Sequence, residues 1–281
     1  MSNRLEGGPP GRISLPKERP MLSFLLLLAN ACAPPLQGNP TAEEIFRKVR
    51  EVLPKSPRYA ADFEESRTLG PTTAKATGRV FVGGGRLLRL EVETRLSPAP
   101  PGMAEKGTQT VVADGEYLWV EAPAPFSSEK VFFRGRLDDL ERQGPGGRLP
   151  QAPDDPSKAI DQLVEQYTFA YRGEEDLEGR RVWVLEGTPR PDAPKADDPM
   201  AEMLRSRLTS VLVKIGKEDG WVYHFEMRGE PGSPPLQLRR YSNLRWNPEL
   251  DPALFRFTPP ADAKVQDMAG EAPATRPGGG R

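Results

Sequence analysis

Few residues in this chain are able to do covalent chemistry. Its 281 residues include one cysteine, Cys32, and one histidine, His224. A single thiol makes an internal disulfide impossible, and one thiol with one imidazole cannot assemble a Cys/His zinc cluster. A Ser-His-Asp triad would have to pass through His224, and no nucleophile-elbow sequence accompanies it. His224 sits between Tyr223 and Phe225 in a strand-like run and reads as a surface or hydrogen-bonded histidine. Carboxylates are plentiful, but Glu43-Glu44 and Glu174-Glu175-Asp176 read as solvated faces. The first pair stands at a helix amino terminus, where negative charge is favourable. Carboxylates alone do not make a glycosidase site. No catalytic residue, metal or cofactor is therefore expected.

Composition narrows the function further. The 39 basic and 40 acidic residues leave a net charge of −1, so a basic nucleic-acid surface is not expected. Hydrophobic residues make up 37%, enough for a packed core and too few for a multi-span membrane protein. The 32 prolines are about 11% of the chain, twice the usual ~5%. Proline breaks helices and central strands, so these residues predict many loops.

The amino end has the order basic, apolar, small. Arg12, Lys17 and Arg19 precede the apolar run Met21–Ala31, and Ala29-Asn30-Ala31 closes it as a small-x-small site. Eleven helical residues rise only about 16 Å, while a membrane span needs about 20 residues. The segment is expected to be a secretory signal peptide covering 1–31, which sends the chain to the periplasm. Cys32 stands at the cleavage point and resembles the acylated cysteine of a lipobox. Ala31 fits that pattern, while Ala29 and Asn30 depart from it. Lipidation at Cys32 would anchor the protein to a membrane, and its absence would leave the protein soluble.

A proline-rich linker follows over 32–40. Thr41-Ala42-Glu43-Glu44 then predicts a capping box, with Ile45, Val49, Val52 and Leu53 at helical spacing behind it. From Tyr59 the period changes to two. Tyr59, Ala61 and Phe63 share one face, and Leu88, Leu90 and Val92 alternate with Arg89, Glu91 and Glu93. Asp114-Gly115 between two apolar runs predicts a two-residue hairpin pairing Ala113 with Glu116 and Val111 with Leu118. Asp155-Pro156 predicts the start of a second helix bearing Ile160, Leu163, Val164 and Tyr167. Met200–Arg207 predicts a short third helix. Strands resume over Phe169–Tyr171, Arg181–Glu186, Leu208–Ile215, Trp221–Arg228 and Leu236–Tyr241, with Leu254–Phe257 as the last. About ten strands interrupted by two or three helices define an α+β fold with a large antiparallel sheet, which at that size must curl or close. The tail over 268–281 is Gly/Pro/Ala-rich and expected to be disordered.

The order of these segments resembles the LolA/LolB family of periplasmic lipoprotein carriers and receptors over 41–267. The Asp-Gly-x-x-Leu-Trp hairpin stands at Asp114 to Trp119, and the closing Phe-x-Phe-x-Pro-Pro-x-x-x-x-Val stands at Phe255 to Val265. The resemblance implies a half-open antiparallel β-barrel whose helices form a lid, and an apolar cavity that takes acyl chains. It turns Phe63, Leu88, Leu90, Val111, Leu118 and Trp119 into expected cavity residues, whereas alternation alone describes them equally as a filled barrel core. The implied function is a non-enzymatic carrier of lipidated proteins or lipids in outer-membrane lipoprotein sorting. Its implied partners are an inner-membrane release machinery and an outer-membrane receptor. The alternative is an anchored LolB-like receptor, or a lipid-sensing regulator of envelope stress on the same fold. A monomer is expected. One departure stands out: Gly83-Gly84-Gly85-Arg86 replaces the family's Arg-Pro before the strand at Leu88.

Overall fold

The computed structural model describes residues 39–54, 58–124, 129–142, 156–193 and 199–268. The signal segment, Cys32, most of the linker and the tail beyond Met268 lie outside the described residues. No described helix is long and apolar enough to cross a membrane.

The first element is α1 (Ala42–Val52), and its capping box is present in full. Thr41 Oγ1 accepts from the Glu44 amide at 3.2 Å, and the Thr41 amide donates to Glu44 Oε2 at 3.0 Å. These two bonds satisfy donors that a helix start leaves open. The buried stripe is Ala42, Ile45, Phe46, Val49 and Leu53, while Val52, expected inside, is exposed. Phe46 takes the inner position because it stands edge-on to Phe169, with ring centroids 5.0 Å apart.

Twelve strands follow among the described residues, against about ten expected. They are β1 (Tyr59–Leu69), β2 (Thr72–Gly84), β3 (Leu87–Ser97), β4 (Lys106–Asp114), β5 (Tyr117–Pro123), β6 (Lys130–Arg136), β7 (Tyr167–Leu177), β8 (Arg180–Pro189), β9 (Ser210–Gly216), β10 (Val222–Arg228), β11 (Gln237–Trp246) and β12 (Val265–Asp267). They form one sheet in the order β12-β6-β5-β4-β3-β2-β1-β11-β10-β9-β8-β7. Every described pairing is antiparallel except the three-residue β12 against β6. The sheet is open, since no described ladder joins β7 to the far end. The edge strand β7 carries a bulge between Tyr171 and Gly173, where Gly173 has φ +131°.

Among the described residues, three helices besides α1 interrupt the meander: α2 (Leu137–Arg142), α3 (Pro156–Gln166) and α4 (Pro199–Ser206). Helix α2 was not expected, being only six residues and held by tertiary contact. Tyr167, expected on the second helix, opens β7 instead, packing with Leu208, Val211 and Leu236. Leu254–Phe257, expected as a strand, begins as a 3-10 turn over Pro252–Phe255. Asp251 caps it by accepting from the Ala253 amide at 2.9 Å. Its Phe255 ring fills the space above Gly83, where an added Cβ would stand 2.9 Å from the ring.

The Asp114-Gly115 hairpin exists with a longer turn. Ala113 pairs with Leu118 and Val111 with Val120, two residues from the expected register. The Asp114 carboxylate explains the difference. Its Oδ1 accepts from the Glu116 and Tyr117 amides at 2.9 and 2.7 Å, and its Oδ2 accepts from Trp119 Nε1 at 3.1 Å. A shift of two leaves every side chain on its expected face, because the strand period is two.

Candidate ligand-binding face

Five adjacent strands build one apolar surface by register. Tyr59 and Ala61 stand opposite Val82 and Val80, which stand opposite Leu88 and Leu90. Those pair with Ala113 and Val111, which pair with Leu118 and Val120. Val111 is fully buried and Leu118 nearly so, while Leu90 is partly exposed at the margin. Phe63 continues the same face of β1 opposite Gly78, with its ring 6.3 Å from that of Tyr241.

Trp119 lies elsewhere. As the neighbour of Leu118 on one strand it points to the other side of the sheet. There it meets Phe257 at 5.7 Å, with the Arg134 guanidinium 5.6 Å from its ring. Phe257 also meets Phe132 at 6.3 Å, and Val265 pairs with Phe132. The two motifs that carry the resemblance therefore touch each other on the outer side of β5 and β6, and clamp the end of the chain there. Alternation within Leu118-Trp119 was the signal that separates these two residues.

Helix α2 covers the β5–β6 end of the apolar face. Leu140 is buried in the same cluster as Val111 and Leu118, and Leu137 packs against it. One ion pair ties this helix to the β2–β3 turn, Arg86 Nη1 to Asp138 Oδ1 at 2.8 Å. Arg86 stands at φ +70° in the tip of that turn. Arg86 thus reaches a helix over the apolar face.

At the opposite margin lies an aromatic group. Trp221 stands 5.0 Å from Tyr59, 5.4 Å from Tyr241 and 5.4 Å from Trp246. The indole Nε1 atoms of Trp221 and Trp246 are buried and meet no acceptor among the described residues. A buried N–H without an acceptor is costly.

Two clefts on the described surface are lined by residues other than the expected cavity residues. One is a groove of about 630 Å³ bordered by Arg79, Phe81, Arg180, Asn243, Leu244 and Arg245, together with Ala60, Ala61 and Asp62. The other is a narrow pocket of about 30 Å³ between Arg180, Tyr223, His224, Arg240 and Tyr241. The expected apolar residues are closed over by one another and by α2.

His224 is buried on β10, with Nε2 3.0 Å from Glu226 Oε2. Burial pushes the imidazole pKa down, and Glu226 only partly opposes this. Tyr223 is pushed upward by burial and by the Asp219 carboxylate, to which its hydroxyl donates at 2.6 Å. Neither arrangement offers an activated nucleophile: the imidazole is held by Glu226, and the phenol is kept protonated.

No family model and no curated protein matches the chain. Solved structures similar to it include the Mycobacterium tuberculosis lipoprotein LppX, 12% identical, with a TM-score of 0.43 over 75% of this chain and 98% of that one. A LolA superfamily protein from Nitrosomonas europaea is 16% identical, with a TM-score of 0.30 over 78% of this chain and 98% of that one. MucB in the Pseudomonas aeruginosa MucA/MucB complex is 14% identical, with a TM-score of 0.39 over 76% of this chain and 60% of the other.

Proposed function

We propose that this protein is a non-enzymatic, periplasmic carrier that takes acyl chains of lipidated proteins or lipids against the apolar face of β1–β5. In this reading the open sheet is a half-open barrel and the helices act as its lid. The observation that carries it is the cover itself. A continuous apolar surface is closed at the β6 end by a six-residue helix that buries Leu140, packs Leu137 against the cluster and carries the partly exposed Arg86–Asp138 ion pair. Such a cover gives way at low cost, since exposed ion pairs contribute about 0–1 kcal/mol. An entering chain gains about 0.8 kcal/mol per buried CH₂. Release needs only the reverse motion and no bond chemistry. The unpartnered Nε1 donors of Trp221 and Trp246 suit the ester or amide oxygens that join acyl chains to a lipoprotein.

The test is a titration of the mature chain with a fluorescent fatty-acid analogue, alongside mass spectrometry of protein purified gently from its own envelope. Saturable binding is expected, about tenfold weaker in Leu90→Trp, where an indole fills the margin. The thermal midpoint of that variant checks that it folds. Absence of both saturable binding and co-purifying acyl species overturns the proposal. The same spectra decide at Cys32. An unmodified chain is a soluble shuttle between a release machinery and an outer-membrane receptor. An acylated Cys32 makes the protein an anchored LolB-like receptor or a lipid-sensing regulator of envelope stress.

A further inference from the structure

We propose that the groove between β1, β2 and β11 binds the phosphodiester headgroup of an anionic lipid. Most arginines on this sheet are spoken for. Arg89, Arg95, Arg172 and Arg228 pair with glutamates at 2.8 Å, and Arg181 and Arg239 are likewise paired. In the groove, Arg79 pairs with Glu91 at 2.8 Å, while Arg180 and Arg245 have no carboxylate within ion-pair distance among the described residues. Arg240, bordering the small pocket that shares Arg180 with the groove, is likewise without one. Arg180, Arg240 and Arg245 thus lie without an ion-pair partner among the described residues along two adjoining clefts whose lining carboxylates are Asp62 and Glu178, and this cationic excess marks a place for an anion.

The site is built by the backbone. Between Ala60 and Asp62 the β1–β11 register slips, so that β11 carries one extra residue. Asn243 in that bulge has φ +51°, and its amide donates to Asp62 Oδ2 at 2.7 Å. A bulge re-aims neighbouring side chains. This one stands beside Arg245, which is placed opposite Ala60, itself opposite Phe81. The Arg180 guanidinium is held 5.0 Å from the Tyr223 ring centroid. Asn243 holds the Asp62 carboxylate, which keeps its charge, and the arginines outnumber it in the groove.

Size and lining select the ligand. The groove, at about 630 Å³, is far roomier than an inorganic phosphate needs, and Phe81, Leu244 and Ala60 give it an apolar floor beside the arginines. A charged headgroup with attached carbon fits both parts. The groove shares Ala61 and Leu244 with the apolar cluster, while its arginines lie outside that cluster and set the headgroup site apart from the acyl-chain face.

The experiment is calorimetric titration of the full mature chain with monomeric dihexanoylphosphatidylglycerol. Dihexanoylphosphatidylcholine and inorganic phosphate are the comparison probes. The glycerol lipid should bind saturably, and Arg180→Ala/Arg245→Ala should weaken it by about tenfold or more, the equivalent of one lost charge-assisted hydrogen bond. Arg180→Lys/Arg245→Lys should fall between, and Arg95→Ala should leave binding unchanged. Unchanged binding in the double alanine variant, equal binding of the choline lipid, or no binding overturns the proposal. Competition by inorganic phosphate at equal concentration also overturns it, because the groove would then be a free-oxyanion site. Retained thermal midpoints keep each result readable, and the fatty-acid titration succeeds or fails separately.

Discussion

On β7–β10 the apolar face lies under two eleven-residue helices, whereas on β1–β5 the described helical cover is the six residues of α2. Ile45 and Val49 of α1 and Ile160 of α3 are essentially fully buried against Trp183, Leu185, Val213 and Ile215. Arg50 of α1 and Asp161 of α3 join the helices at 2.8 Å. Across the sheet, Leu137 and Leu140 alone bring α2 to the apolar cluster. The difference teaches where a sheet of this size spends its stability. One half is a permanent core, and the other is an apolar face under a short cover, which is what a binding surface requires.

The sharpest way to break this comparison is to cut into both covers. Ile45→Ala should destabilise the protein by about 2–5 kcal/mol in urea unfolding. Leu140→Ala should cost less than half of that while speeding amide exchange across α2, because a short helix opens on its own. Equal losses in both variants would make the two halves one rigid core. A smaller effect separates the halves by pH. Burial holds the His224 imidazole below its usual value of about 6.5, so the unfolded chain takes up a proton first as the pH falls through that value. Stability present above about pH 6.5 is therefore lost below it. Glu174, lowered by hydrogen bonds from Lys217 and Arg181, adds a loss of the same sign at lower pH. His224→Gln should flatten the decline of the urea midpoint between about pH 7 and pH 5. An unchanged slope removes the imidazole as its source. The smallest effect on stability belongs to Arg86→Ala, within about 1 kcal/mol since both partners are partly exposed. It should nevertheless accelerate fatty-acid entry in stopped-flow mixing. An unaltered rate means that the ion pair does not restrain α2.

What was legible in the sequence was local or periodic. The Thr41–Glu44 capping box depends on four consecutive residues, and the apolar face of β3 and β4 follows from alternation through Leu88, Leu90 and Val111. The Asp114 turn is longer than its sequence predicts because a dipeptide rule cannot see one carboxylate taking two amides and an indole five residues away. Leu254–Phe257 has the composition of a strand, yet Pro252 and the Asp251 cap start a turn that delivers Phe255 to Gly83. Trp119 was grouped with Leu118 by motif although neighbours on a strand face apart. The arginine groove had no sequence signal, because Arg79, Arg180 and Arg245 meet only through the sheet order and the bulge at Asn243.

The edge strand β7 has a consequence for how copies of this molecule treat one another. An unclosed sheet offers its last strand to any other extended chain. Here Gly173 bends that strand out of line, and Arg172, Glu174, Glu175 and Asp176 stud it with charge directly at the bend. A second edge arriving in register finds a kinked, hydrophilic rim rather than a flat template. The open edge of the sheet is thus guarded against strand-to-strand polymerisation, and sedimentation as a single species at high concentration is the expected outcome.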